Sequence, residues 1–179
     1  MPSQKNNISE FLLSKIRTIP DFPKPGIQFK DITTLLADKE ALKLTSQELA
    51  KPFLNKNIDI VVGLESRGFL FGAHLAALLD ASFVPVRKPG KLPAEVISES
   101  YALEYGMDSL EMHADAIPKG ARVLIHDDLI ATGGTAAAAS RLVERLGGEV
   151  IGYSFIIELG FLKGRDILPN IQIESIMVV

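Results

Sequence analysis

Twice along the chain an apolar run of strand length leads through a short turn into a helical segment and out to a second apolar run. First, Ile58-Asp59-Ile60-Val61-Val62-Gly63 is followed by Phe69 to Leu79 and then by Ser82-Phe83-Val84-Pro85-Val86. Later, Ala121 to His126 is followed by Thr135 to Leu146, closed by Gly147-Gly148, and then by Val150 to Ile157. Nearly continuous hydrophobic runs suit strands buried on both faces, and the helices between them supply the crossovers that parallel strands need. The pattern predicts an α/β fold with an open, mainly parallel sheet flanked by helices.

The flanking segments have other textures. Ile8, Phe11, Leu12 and Ile16 recur at helical spacing, after which Pro20, Pro23 and Pro25 are expected to exclude a regular element. Ile27 to Ile32 reads as a short extended piece, and Asp38 is placed to cap a helix running to Ala50. Between the two βα regions, Val96 to His113 alternates Tyr101, Leu103 and Tyr105 with Ala102 and Glu104, which suits an exposed antiparallel hairpin or mobile arm. Gly90 and Gly106 would let such an arm move.

At 179 residues the chain suits one domain. Having no cysteine, it can offer no thiol nucleophile, disulfide or cysteine-held metal. Its 19 basic and 22 acidic residues give a net charge of -3, which provides no general attraction to nucleic acid or an anionic membrane. No secretory signal or spanning stretch is legible, so a soluble cytoplasmic protein is expected. His74 and His113 lack metal-ligand spacing.

Chemistry concentrates in Val123 to Ala136. A hydrophobic strand delivers Asp127 and Asp128 to its carboxyl end, and Ala131-Thr132-Gly133-Gly134-Thr135 then turns into a helix. Unpaired amides of a helix start, glycines that let them point inward, and two threonine hydroxyls make a phosphate cradle. The carboxylates would accept hydrogen bonds from a sugar's vicinal hydroxyls, so together the residues describe a site for ribose 5-phosphate. Neither a Walker loop nor a dinucleotide fingerprint is present. His126 alternates away from Asp127 and is expected to be buried or at an interface. Arg67 follows the first strand, while Arg87, Lys88 and Lys91 put three positive charges within five residues after the second.

The stretch from Ile125 to Thr135 resembles the phosphoribosyl-pyrophosphate motif of the type I phosphoribosyltransferases. Phe22 to Ile32, Gly63 to Gly72, Arg87 to Pro93 and Ser100 to Gly106 extend the likeness to the adenine-specific branch, over about Ile16 to Gly164. The resemblance implies transfer of ribose 5-phosphate from phosphoribosyl pyrophosphate to N9 of adenine, forming AMP and pyrophosphate, with Mg2+ carried by the substrate rather than held directly by protein side chains. It assigns phosphoribosyl pyrophosphate to Arg67, Arg87, Lys88, Lys91, Tyr105, Asp127, Asp128, Ala131, Thr132, Gly133, Gly134 and Thr135. The Glu65–Ser66 peptide bond, often cis in the family, would lend backbone groups to pyrophosphate. Glu104 matches the acid/base carboxylate facing the N9 proton, and Gln28, Phe29, Lys30 and Leu159 match the adenine site. Lys30 stands where an arginine is frequent. A hood of residues 1–35, a core of about 36–179, an arm of about 88–113 and a homodimer, with the arm or the Arg87 region near the second subunit, complete what the resemblance implies.

A hypoxanthine or guanine enzyme would share the sugar-phosphate site, but the proline-rich hood and the Leu103-Glu104-Tyr105 segment oppose it. A nonenzymatic nucleotide-sensing regulator finds no helix-turn-helix here. A ribose-phosphate-binding structural protein has no use for Arg67, the Arg87 to Lys91 cluster and Glu104.

Overall fold

The computed structural model describes residues 4–102 and 106–179, and the chain divides into two compact units at 48/49. The first unit contains α1 (Gln4–Ser14), β1 (Arg17–Pro20), β2 (Gln28–Asp31), α2 (Thr33–Leu36) and most of α3 (Lys39–Ala50), so it extends beyond residue 35. Leu12, Ile32, Leu35 and Ala41 are buried apolar residues of this unit. Asp38 starts α3 as expected, with Oδ1 accepting from the Glu40 and Ala41 amides at 3.0 and 3.1 Å. Of the three prolines, Pro23 and Pro25 lie in an irregular connection as expected, but Pro20 does not exclude a regular element. β1 pairs antiparallel with β2, and Pro20 sits at the end of this two-stranded ribbon opposite Gln28, a place where a missing N–H is tolerated. Asp31 accepts from Arg17 Nε at 3.1 Å and from the Thr33 amide at 2.9 Å; the Arg17 bond leads in holding its pKa down at about 2.

The second unit carries β3 (Ile60–Leu64), α4 (Gly68–Leu78), β4 (Ser82–Val86), β5 (Val96–Ala102), β6 (Met107–His113), β7 (Arg122–Ile130), α5 (Gly134–Arg145), β8 (Glu149–Glu158) and β9 (Gln172–Val178). Five strands form a parallel sheet in the order β4-β3-β7-β8-β9, while β5 and β6 pair separately as an antiparallel hairpin. β3 is buried at every position, as its unbroken apolar run requires. Alternate residues Val123 and Ile125 of β7 and Tyr153 and Phe155 of β8 join Ala138, Ala139, Leu142 and Val143 of α5 in one core, with Tyr101, Leu110 and Met112 from the hairpin. β7 runs four residues beyond the expected His126, through both aspartates to Ile130. β9 extends the βα rhythm without a sequence expectation behind it, pairing with β8 from Gly152↔Gln172 to Glu158↔Val178.

Candidate active site

The strand order locates the site. From β3 the chain crosses through α4 to β4 on one side, and from β7 it crosses through α5 to β8 on the other. Right-handed crossovers in opposite directions put α4 and α5 on opposite faces, and the carboxyl ends of β3 and β7 flank the crevice where the order reverses. Arg67, just past β3, and Asp128, near the end of β7, meet there. Arg67 Nε lies 3.0 Å from Asp128 Oδ2, at an angle that makes the contact an ion pair rather than a hydrogen bond.

The two aspartates are consecutive on β7, and their carboxylates interact with each other and with the Arg67 charge. Asp127 Oδ1 accepts the Asp128 amide at 2.8 Å. Burial, and after it the repulsion of the Asp128 charge, push Asp127 well above the usual carboxylate range; burial also raises Asp128, against the opposing pull of Arg67. Among the described residues Asp128 Oδ2 accepts no hydrogen bond, which leaves it capacity for a donor.

Beyond Ile130 the chain turns through Ala131, Thr132 and Gly133 into α5. Gly133 caps the helix at φ 83°, and among the described residues no capping side-chain hydrogen bond is made there. The first-turn amides belong to a 12-residue helix, whose positive end favours a negative charge placed before it. A cavity of about 180 Å3 opens beside them, walled by Asp127, Ala131, Thr132, Gly133, Thr135 and Phe155. The turn is braced from behind. A Cβ on Gly133 would fall 2.3 Å from the Gly164 carbonyl oxygen, and one on Gly164 would fall 2.3 Å from that of Ala131. Neither backbone can carry a side chain while this contact lasts.

Arg87, Lys88 and Lys91 follow β4, beside β3 in the sheet. Leu64 and Val86 are register partners, so Glu65 emerges next to Arg87. Its carboxylate takes Arg87 Nε at 3.4 Å, accepts the Lys88 amide at 2.8 Å and pairs with Lys91 Nζ. Burial would raise Glu65, but the Lys91 ammonium, the Lys88 amide and the Arg87 charge together hold it below its ordinary value. Lys88 Nζ instead reaches the hairpin, pairing with Asp108 and lying 3.3 Å from the Tyr101 hydroxyl. The Arg87 guanidinium also lies 5.9 Å from the Phe69 ring centroid. These cations therefore sit on a scaffold of internal acceptors, which sequence reasoning missed. The parallel pairing of β3 and β4 was the available signal for Glu65. The Glu65–Ser66 peptide bond is cis.

His126 is fully buried, its Nδ1 3.0 Å from the Ser154 carbonyl oxygen, and burial lowers its pKa to about 4. Of the residues matched to adenine, Gln28, Phe29 and Lys30 lie on β2, with the Phe29 ring edge-on to Phe22 at 5.1 Å and Lys30 Nζ donating to Thr18 Oγ1 at 3.0 Å. Leu159 directly follows β8, its amide bonded to the Ile130 carbonyl oxygen at 2.9 Å. Glu104 and Tyr105 lie outside the described residues.

Comparison with known proteins gives this geometry its relatives. Residues 31–164 match the phosphoribosyl transferase domain. The chain is 58% identical over 164 residues to the adenine phosphoribosyltransferase of Alkaliphilus metalliredigens, covering 92% of this chain and 96% of that protein. Its fold superposes on the crystal structure of adenine phosphoribosyltransferase from Rhodothermus marinus with a TM-score of 0.93 and 56% identity, over 97% of this chain and 99% of that one. The Saccharomyces cerevisiae adenine phosphoribosyltransferase, solved with adenine and an imino-altritol bisphosphate, gives a TM-score of 0.89 at 43% identity, over 96% and 99% of the two chains.

Proposed function

This chain belongs to the phosphoribosyl transferase domain family, in its adenine-specific branch, and from that premise we propose how its residues divide the work. The reaction is the purine-salvage transfer that joins adenine to the ribose 5-phosphate of phosphoribosyl pyrophosphate, forming AMP and pyrophosphate. The observation that carries the division of labour is the cavity at the β7–α5 turn, with the Asp127 carboxylate in one wall and the start of α5 in another. Asp127 and Asp128 accept the ribose hydroxyls, and Ala131, Thr132, Gly133, Gly134 and Thr135 hold the 5-phosphate. Arg67, Arg87, Lys88 and Lys91 take pyrophosphate, with Tyr105 assisting. As the bond from C1 to pyrophosphate breaks, negative charge gathers on the leaving group, and fixed cations stabilise it more than the intact substrate.

Mg2+ fits this site. The carboxylates and the substrate's own oxygens are hard donors, and a nearby cation would favour the ionised form of two aspartates that burial disfavours. Bound with the substrate, the ion would neutralise charge on the departing pyrophosphate. Glu104 takes the N9 proton of adenine, directly or through water. The adenine roles of Gln28, Phe29 and Lys30 in the first unit, and of Leu159 in the second, rest on the resemblance. A cytoplasmic location follows from a polyanionic substrate that membranes retain. The protein acts as a homodimer, a reading supported by the outer side of α4: Leu70 and Leu78 are each 46% exposed, and the helix has no charged residue.

The test is pyrophosphate release from phosphoribosyl pyrophosphate and Mg2+ with adenine, hypoxanthine, guanine or xanthine at equal concentration. Adenine alone should support rapid turnover; folded protein that makes no AMP would sink the assignment. Glu104→Gln should lower kcat far more than it weakens phosphoribosyl-pyrophosphate binding, and unchanged turnover would reject its acid/base role.

A further inference from the structure

One buried hydroxyl joins two parts of the site that the assigned roles treat as separate. Tyr101, on β5, is 6% exposed. Its hydroxyl donates to Asp108 Oδ2 on β6 at 3.2 Å and accepts from Lys88 Nζ and Thr135 Oγ1, each at 3.3 Å. Thr135 belongs to the 5-phosphate cradle and Lys88 to the pyrophosphate clamp. The hairpin is fastened to α5 farther along as well, where Arg141 Nε donates to Glu99 Oε1 and Arg145 Nη1 to the Ser98 carbonyl oxygen, both at 2.6 Å.

We propose that Tyr101 is a positioning residue through which the 5-phosphate cradle and the pyrophosphate clamp sense each other's occupancy. The inference rests on the sugar-phosphate and pyrophosphate roles proposed above. A phenol oxygen that accepts from two donors at 3.3 Å serves each less well than it would serve one alone. When the Thr135 hydroxyl donates instead to a phosphate oxygen, Tyr101 is left to Lys88, which is then held more firmly against the hairpin and is less available to pyrophosphate. When pyrophosphate draws Lys88 away, Thr135 is held more firmly in turn. Linkage requires both statements to have the same sign and size. Tyr101 therefore sets the two halves of the site mildly against each other.

Tyr101→Phe keeps the buried ring and removes only the shared oxygen. Calorimetric titration of ribose 5-phosphate and of magnesium pyrophosphate, each alone and each with the other saturating, gives a coupling factor for the native protein and for the variant. In Tyr101→Phe each ligand alone should bind within about twofold of native, while the second ligand should bind about fivefold tighter, relative to native, when the first is present, as expected from about one hydrogen bond. The same coupling factor in both proteins would overturn the proposal. So would equal weakening of each ligand alone with coupling unchanged, the result of a merely structural role. A lower unfolding midpoint that accompanies unchanged coupling counts against it equally. Failure of the native protein to bind either ligand would overturn the functional reading itself, and this inference with it.

Discussion

Asp127 and Asp128 stand side by side on β7 and are both pushed up by burial, Asp127 also by its neighbour's charge. In the ligand-free site the pair retains a proton to higher pH than ordinary carboxylates do, whereas sugar hydroxyls and an accompanying cation favour the ionised form. Phosphoribosyl-pyrophosphate binding should therefore tighten as pH rises through the pair's titration and should release protons, which calorimetry in buffers of different ionisation enthalpy would detect. Asp127→Asn should flatten that dependence and weaken binding on the order of tenfold; an unaltered pH profile would remove Asp127 from the site. His126 makes folding stability depend on pH as well. Its folded pKa of about 4 lies below the ordinary 6.5, so the unfolded chain binds the extra proton between those values. Stability should rise by about 3 kcal/mol from pH 4 to 6.5, and thermal unfolding of His126→Gln should show a shallower slope. The inward turn of His126 was legible from strand alternation, and the adjacent acids before Thr132-Gly133-Gly134-Thr135 are the sequence signal behind the sugar-phosphate site proposed above. The Glu65 carboxylate was not legible, because its partners Arg87 and Lys91 approach only once β3 and β4 are in register.

At the scale of elements, the phosphate turn owes its shape to a segment far along the chain. Gly133 and Gly164 meet backbone to backbone, so Gly164→Ala must displace either Ala131 or its own loop. Ribose 5-phosphate affinity should fall on the order of tenfold or more, from overpacking worth about 1–3 kcal/mol, while pyrophosphate affinity stays close to native. Equal binding of ribose 5-phosphate by the variant would show that the brace is dispensable. The elements easiest to read were those with a single unbroken signal, such as the apolar β3 and the capped α3. β1 was hidden by prolines that hinder a central strand but are tolerated at the end of a ribbon. β9 was hidden because Gln172, Glu174 and Ser175 interrupt its apolar residues, as a strand at the sheet's edge permits.

At the scale of the whole molecule, a net charge of -3 coexists with Arg67, Arg87, Lys88 and Lys91 clustered at one end of the sheet, so affinity for a small polyphosphate needs no general attraction to polyanions. The exposed apolar side of α4 adjoins that cluster through Phe69 and Arg87. Leu70→Glu combined with Leu78→Glu should convert a dimer into monomer by light scattering and lower turnover with it; a persistent dimer would place the seam elsewhere. The reversal of strand order has another consequence, in the order of synthesis. Of this sheet, β3 and β4 leave the ribosome first and can pair at once, but the other edge of β3 must wait for β7, beyond a hairpin whose Glu111 bridges Arg87 past β4 and leaves that edge of β3 open. Until then a fully apolar strand offers an open backbone edge to any chain nearby. The crevice that makes the enzyme is, for a newborn chain, its most exposed seam, and slowing translation between β4 and β7 should increase aggregation more than the same pause after β8.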